Sequence, residues 1–416
     1  MAAARLVSPD PRRPSVTTVE LIAMVGGLMA LNALSIDILL PALPAIGEDY
    51  GALGNDRQLV ITAYVFGFGF AQLAFGPIAD SIGRRRTLIW ALSGYIAATA
   101  LCVAAPAFTL MLAARALQGA AAAATRVVAM AVVRDLVSGR RMAEIMSFAM
   151  TVFMAAPILA PGLGQLILIA GPWEAIFLAL AMGSALLLAW MMVRLPETLR
   201  AEDAIPVRLG PAFRNYILAA SNRVTLGYMC ASALIFGALF AFIATSEQVI
   251  AGLYGLEAWF GVAFGGIALG LAAVNVVNAR IVGRHGMRRI SHLALVVFIA
   301  LNTGHALLSL AGPVPFWLFY SLLGLAMFMF GLIGANFSAL VMEPAGRRAG
   351  TAAALYGSVT AISGAVLGSV IGQAYDGSVT PILAGMAILG AGCLAVVAWT
   401  EKGRLFGAWP PGAEPD

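Results

Sequence analysis

Apolar stretches of about twenty residues, parted by short polar or Gly/Pro-rich breaks, run the length of this chain. They lie near 19–40, 58–80, 87–104, 108–132, 145–169, 174–194, 224–247, 258–279, 291–311, 315–341, 350–374 and 380–400. One helical crossing of a bilayer takes about 20 apolar residues and spans about 30 Å. Only helices and closed barrels satisfy every backbone polar group in hydrocarbon. The pattern therefore predicts an all-α polytopic membrane protein with twelve transmembrane helices. The first apolar run is too long for the core of a signal peptide and is read as an uncleaved span.

The longest polar break, 195–223, parts six spans from six. The expected organisation is a tail over 1–17, a six-helix half over 18–194, a linker over 195–223, a second half over 224–400 and a tail over 401–416. The halves echo one another. NARIVGRHGMRRIS (278–291) follows span eight as FGPIADSIGRRRTL (75–88) follows span two, and Gly164-Gln165 in span five recurs as Gly372-Gln373 in span eleven. Two pseudo-symmetric halves from a duplicated unit are one common transporter architecture.

Composition supports the membrane class: 61% of the 416 residues are hydrophobic and 11% are charged. With both termini inside, all of the 25 Lys+Arg residues except Arg57, Arg115 and Arg126 fall in the inner loops and tails. That bias predicts that both termini are cytoplasmic. Lys402 is the single lysine and lies outside every span, which excludes a retinal Schiff base within the membrane. Cys102, Cys230 and Cys393 are far apart, each in an apolar run, and no zinc or disulfide spacing is present. No metal-ligand cluster or nucleophile–base motif argues for an enzyme, a cofactor or a nucleic-acid partner.

Ionisable groups inside spans are costly, by about 2.5–3.5 kcal/mol on insertion scales, and are functional hypotheses by default. Asp37 stands four residues before Pro41 in span one, about 6 Å inside its outer end. Arg115 stands in span four, about 10 Å from the outer end near Phe108. The two share a depth, and a facing pair would lower the cost of burying both. They are the candidates for proton coupling; an interfacial acid and a structural pin between helices are the plainer alternatives. Arg126, eleven residues on and on the same helical face, together with Asn32, Phe236 and Phe240, is a candidate for a substrate cavity. Phe242, Phe264, Phe328 and Phe330 add aromatic surface in the second half, while Glu247 and His305 read as an edge carboxylate and a satisfied histidine. Pro157, Pro161, Gly162 and Gly164 in span five mark a kink or a conformational pivot.

In FGPIADSIGRRRTL, Asp80 closes span two at a helix C-terminus, where the macrodipole disfavours an acid. Arg84, Arg85 and Arg86 open span three, where cations are disfavoured. Topology explains the arginines. It leaves Asp80 over, and the residue needs a partner: Arg84 or the N-terminus of another helix.

These segments resemble the major facilitator superfamily over about 18–400. GPIADSIGRRR is similar to the family's signature between spans two and three, carried by Gly76, Asp80, Gly83, Arg84 and Arg85. RALQG (115–119) is similar to its span-four signature, and LPETL (195–199) to its exit from span six. SIDILLPALP, RVVAMAVVRDL and FAFIATSEQVIAGLYGLEAWFGVAF resemble the bicyclomycin- and chloramphenicol-resistance branch of twelve-span drug:proton antiporters. The resemblance implies proton coupling through Asp37 and Arg115. It also implies a latch in which Asp80 meets the start of span eleven near Gly350-Thr351. Three features depart from the pattern: span five reads Ala160-Pro161 and Gly164-Gln165 where Gly-Pro and paired glycines are expected, Met29 stands where some relatives carry a second acid, and Gly283 replaces the second-half loop acid. The expected function is proton-coupled export of small amphipathic drugs by alternating access, in which the halves rock around a central cavity, with protons as the coupling ion, no cofactor, the lipid bilayer as surroundings and a monomeric state. The alternative is transport of a normal metabolite, a sugar or an amino acid, by the same fold.

Overall fold

The computed structural model describes residues 16–407 apart from 53, 138 and 206–208, and among them the chain is helical throughout, without a sheet. The first half contains α1 (Thr18–Asp37), a short α2 (Leu43–Tyr50), α3 (Leu59–Ile82), α4 (Arg84–Ala104), α5 (Phe108–Leu136), α6 (Gly139–Ala170) and α7 (Glu174–Arg194). A linker helix, α8 (Leu209–Ala220), precedes α9 (Arg223–Glu247), α10 (Phe260–His285), α11 (Met287–Ala311), α12 (Phe316–Met342), α13 (Ala349–Gln373) and α14 (Thr380–Thr400). Twelve segments are long and apolar enough to cross a membrane, the first formed by α1 and α2 together. The chain divides into two compact units between Leu209 and Gly210, inside the expected linker.

The same helix pairs pack in each unit. In the first, α1 packs on α6, α3 on α5 and α4 on α7; in the second, α9 packs on α13, α10 on α12 and α11 on α14. Small residues set these approaches, as expected where lipid supplies no hydrophobic drive between helices. A Cβ on Gly119 of α5 would run into the Tyr64 carbonyl of α3, and one on Gly67 of α3 into that of Ala116. In the second unit Gly368 of α13 faces the Phe240 backbone of α9, with a Cβ meeting it at 2.8 Å, and Gly237 faces Leu367 at 2.7 Å. Single glycines turn α3 into α4 and α10 into α11: Gly83 has φ +103° and Gly286 φ +78°, values costly for any residue with a Cβ.

Two spans differ from expectation. Span one does not end at Pro41. Pro41 and Pro44 lack the N–H groups that would bond the carbonyls of Asp37 and Leu40, so the α-helix stops at Asp37, passes through a 3-10 turn over Leu40–Ala42 and resumes as α2. Asp37 therefore lies at a helix break, about a dozen residues and ~18 Å of helical rise short of Tyr50, deeper than the 6 Å expected. Span seven continues past Glu247 as a π turn over Gln248–Leu253, so Glu247 is buried and is not an edge carboxylate. Span five keeps Pro157 and Pro161 within one continuous helix.

Candidate functional site

The site is built where α1, α3, α4 and α5 meet. Asp37 is 5% exposed and has no hydrogen-bond or ion-pair partner among the described residues. Arg115 is wholly buried. Its guanidinium is held by neutral groups: Nε donates to the Val60 carbonyl of α3 at 3.1 Å, Nη2 to the Ser35 carbonyl of α1 at 3.1 Å, and Nη1 to Gln118 Oε1. It lies over the Tyr64 ring, 4.5 Å from the centroid. The expected pairing with Asp37 is thus not observed: every donor nitrogen of Arg115 has another acceptor. Three strong bonds and an aromatic face replace a counter-ion in offsetting the desolvation of the charge.

The residues around Arg115 form one connected network. Gln118 Nε2 donates to Thr99 Oγ1 at 2.8 Å, and Thr99 Oγ1 donates to the Tyr95 carbonyl at 2.6 Å. The Tyr95 and Ser35 hydroxyls share a hydrogen bond of 2.6 Å, and Tyr64 donates to Asn32 Oδ1 at 3.1 Å. Asn32, half-buried, thereby connects to the ring under Arg115. Sequence reasoning named Asn32 and Arg115 as site candidates and Gln118 only within the RALQG signature, and missed Ser35, Tyr64, Tyr95 and Thr99. Their signal was present as hydroxyls and an amide inside apolar runs, where each needs a partner.

Asp37 is held through the backbone on both sides. The Ser35 carbonyl two residues before it takes the Arg115 bond. After it, the Ile38 carbonyl lies against Gly164 of α6, where a Cβ would collide with it and would meet Pro41 Cγ at 3.0 Å. Gly164 is therefore a close-approach residue at the break. Gly162, in contrast, faces open space. The C-terminal end of the same segment is clamped by Tyr50, which donates to the Ala105 carbonyl at 2.9 Å, and by Asp49, which accepts from Trp173 Nε1.

Arg126 is exposed, unlike Arg115 on the same helical face. In the second unit, Phe236 makes edge contacts with Phe330 of α12 and Tyr356 of α13, at 5.5 and 6.4 Å between ring centroids. The cluster spans three helices, with Phe330 buried and Phe236 and Tyr356 half-buried. Phe240 instead fills the space over Gly364 and Gly368, a packing role.

The three arginines of RRR have three fates. Arg84 is buried and bridges Asp80 and Asp135, the latter at 3.0 Å; Arg85 donates to the Met192 carbonyl at 2.7 Å; Arg86 is exposed. Topology alone does not explain Arg84 and Arg85, because both tie their helix to neighbours. Asp80, its side chain 43% exposed, pairs with Arg84 within its own half. The cations at the α4 N-terminus are compensated by Glu197 of the LPETL stretch. Its Oε1 accepts from the backbone N–H groups of Arg84 at 2.7 Å, Thr198 at 3.1 Å and Leu199 at 3.2 Å, an acid where the helix dipole favours one. Gly76 faces open space, and Thr351 is half-buried in the first turn of α13.

The second unit carries a charged cluster that sequence reasoning did not assemble. Arg288 bonds Glu401 at 2.8 Å and Glu343 at 3.1 Å, and Tyr228 donates to Glu401 at 2.6 Å. Glu401, assigned to the tail from the sequence, is 2% exposed and belongs to the end of the helical half.

Comparison with known proteins places these features in a family context. The profile of the Major Facilitator Superfamily matches residues 25–369. An uncharacterized MFS-type transporter of Bacillus subtilis, YdgK, is 32% identical over 357 residues, 84% of this chain and 87% of that one. A bicyclomycin resistance protein homolog of Haemophilus influenzae is 31% identical over 373 residues, 88% of this chain and 92% of that one. The Escherichia coli multidrug resistance protein MdtL is 32% identical over 230 residues, 55% and 58% of the two chains. The crystal structure of the human organic anion transporter MFSD10 (TETRAN) superposes with a TM-score of 0.66 at 20% identity, covering 91% of this chain and 99% of that one, which shows a shared fold.

Proposed function

The chain belongs to the Major Facilitator Superfamily, and from that premise we propose that this multi-pass membrane transporter exports small amphipathic drugs in exchange for protons. The observation that carries the reading is Asp37: a buried carboxylate without a partner among the described residues, at the break in α1, near Arg115, which is already satisfied by neutral groups. A carboxylate so placed is free to take a proton or the polar group of a substrate, one at a time. Proton uptake then has differential affinity for the two access states, as coupling requires. The relatives named for bicyclomycin and multidrug resistance support drugs as the cargo. The Phe236–Phe330–Tyr356 cluster offers an apolar surface suited to them.

In the same proposal Arg115 keeps the break in register, and Arg126 and Asn32 face the substrate path. The arginine distribution supports both termini in the cytoplasm, and the bacterial relatives together with the helical spans support an inner-membrane location. Asp80, with Gly76, Gly83, Arg84, Arg85 and Thr351, serves as the conformational latch, and Pro157, Pro161, Gly162 and Gly164 as the span-five pivot. The test is exchange in proteoliposomes under an imposed pH gradient, over a panel of amphipathic compounds. Asp37→Asn is expected to abolish pH-driven exchange while expression and fold persist. Unchanged proton-coupled efflux in that variant refutes the reading.

A further inference from the structure

Buried side-chain amides are paired as a rule, because an unpaired one gives up its hydration for nothing. Gln118, buried on α5, follows the rule through both its amide oxygen and its amide nitrogen. Gln72 of α3 does not. It is 5% exposed, and its carboxamide makes no hydrogen bond among the described residues.

The faces of α3 show where Gln72 stands. α5 packs on the first face, where a Cβ on Gly67 would strike the Ala116 carbonyl. Phe66 and Phe70, both exposed, mark a second face turned away from the packed helices. At about 100° per residue, Gln72 lies on a third, about 40° from Phe68 and about 80° from Tyr64. On that face the Tyr64 hydroxyl reaches Asn32 of α1. One turn beyond Gln72 on the same side is Gly76, half-buried, where a Cβ would meet nothing within 4 Å. The amide therefore stands between Phe68 and a hollow in the fold, about 12 Å farther along α3 than Tyr64.

A carboxamide offers an acceptor, Oε1, beside a donor, Nε2. The group that meets both at once is a second amide with its N–H and C=O on the same side, as in a primary carboxamide. A ketone or a carboxylate presents acceptors alone. We propose that Gln72 is a specificity-determining residue of the substrate path, pairing at two points with such an amide of the carried compound while Phe68, one turn away, bounds its apolar part. A compound without the N–H leaves Oε1 unpaired, which is how a buried polar group rejects a near-isostere. The proposal rests on the reading of this unit as a substrate path, and it adds to that reading the chemistry of the group that is recognised.

The test is equilibrium binding of tritiated 2-naphthamide and 2-acetylnaphthalene, which differ only in an amino against a methyl group, to the full-length protein in lipid nanodiscs. The parent is expected to bind the amide about tenfold or more tighter than the ketone. In Gln72→Met, which keeps the length of the side chain and leaves no polar atom unpaired, the two probes are expected to bind within about twofold of each other. The same variant without ligand is expected to unfold at higher denaturant than the parent. No pH gradient is applied, so the proton-exchange reading fails only in the transport assay of Asp37→Asn, and amide recognition only in the probe preference. Equal affinity for both probes in the parent, binding of neither, or a preference that survives in Gln72→Met overturns the proposal. So does a Gln72→Met protein less stable than the parent, which marks the amide as structural. If a stable Gln72→Met binds neither probe, Gln72→Asn decides: its amide is one methylene short, and an unchanged preference overturns the proposal while a reduced one supports it.

Discussion

Replacing Arg115 by methionine, alone and together with Asp37→Asn, separates two readings of the buried charges. The substitution removes hydrogen bonds to Val60, Ser35 and Gln118 and the contact with the Tyr64 ring. At about 1.5 kcal/mol for each charged hydrogen bond and about 2 kcal/mol for a desolvated cation–π contact, the gross loss is about 6.5 kcal/mol. The several kcal/mol of guanidinium desolvation disappears with the charge and offsets more than half of that. The Gln118 oxygen loses its guanidinium donor, while the Val60 and Ser35 carbonyls keep helical bonding within reach. The expected net destabilisation is about 2–3 kcal/mol, measured by denaturant unfolding in mixed micelles. Because Asp37 has no bond to Arg115, the double variant should lose the sum of the two single losses, with a coupling energy below about 1 kcal/mol. A buried ion pair would behave otherwise: either single change would strand a charge at about 3–5 kcal/mol, and the second would restore most of it. A coupling of about 3 kcal/mol or more would refute the account of Arg115 as a residue satisfied without Asp37.

Other expectations follow from single contacts. Gly119→Ala should cost about 1–3 kcal/mol in the same unfolding assay, because its Cβ meets the Tyr64 carbonyl, despite the better helix propensity of alanine; a stabilised variant would show that α3 and α5 yield freely. Glu197→Ala should cost about 1–2 kcal/mol by uncapping α4, and Glu197→Gln, which keeps the accepting oxygen, about 0.5 kcal/mol; equal losses would contradict a capping role. Asp80→Asn should lower stability by less than about 1 kcal/mol, since the Asp80–Arg84 pair is partly exposed. It should change the transport rate and the inward/outward balance, read by cysteine accessibility; if both stay the same, the latch does not exist.

Much of the fold was legible because hydrocarbon tolerates so little. A span must be apolar along about twenty residues, so all twelve spans could be placed, many of their ends within a few residues. The exceptions occur where local chemistry competes with hydropathy. Pro41 read as the end of span one, but the chain resumes as α2 after a short 3-10 turn. Glu401 read as tail because it follows the last apolar residue, yet Tyr228 and Arg288 draw it into the fold. Asp37 and Arg115 stood out as rare charges. Their relation did not, because a guanidinium may be satisfied by carbonyls, and carbonyls are present at every position and carry no mark in a sequence. Residues such as Ser35, Gln118 and Glu197 act through contacts between separate segments, which no periodicity along one helix reveals.

The one-residue junctions at Gly83 and Gly286 have a consequence for how each helix pair can be altered. A loop of many residues absorbs an insertion by looping out; a corner made of one glycine has no slack. Adding even a single residue at Gly83 would rotate α4 by about 100° on its axis and carry Arg84 away from Asp80, Asp135 and the Glu197 cap together. These two corners are therefore the places where a tag, an epitope or a circular break is least tolerated, and where lengthening the chain acts as a change of register and not as a change of length.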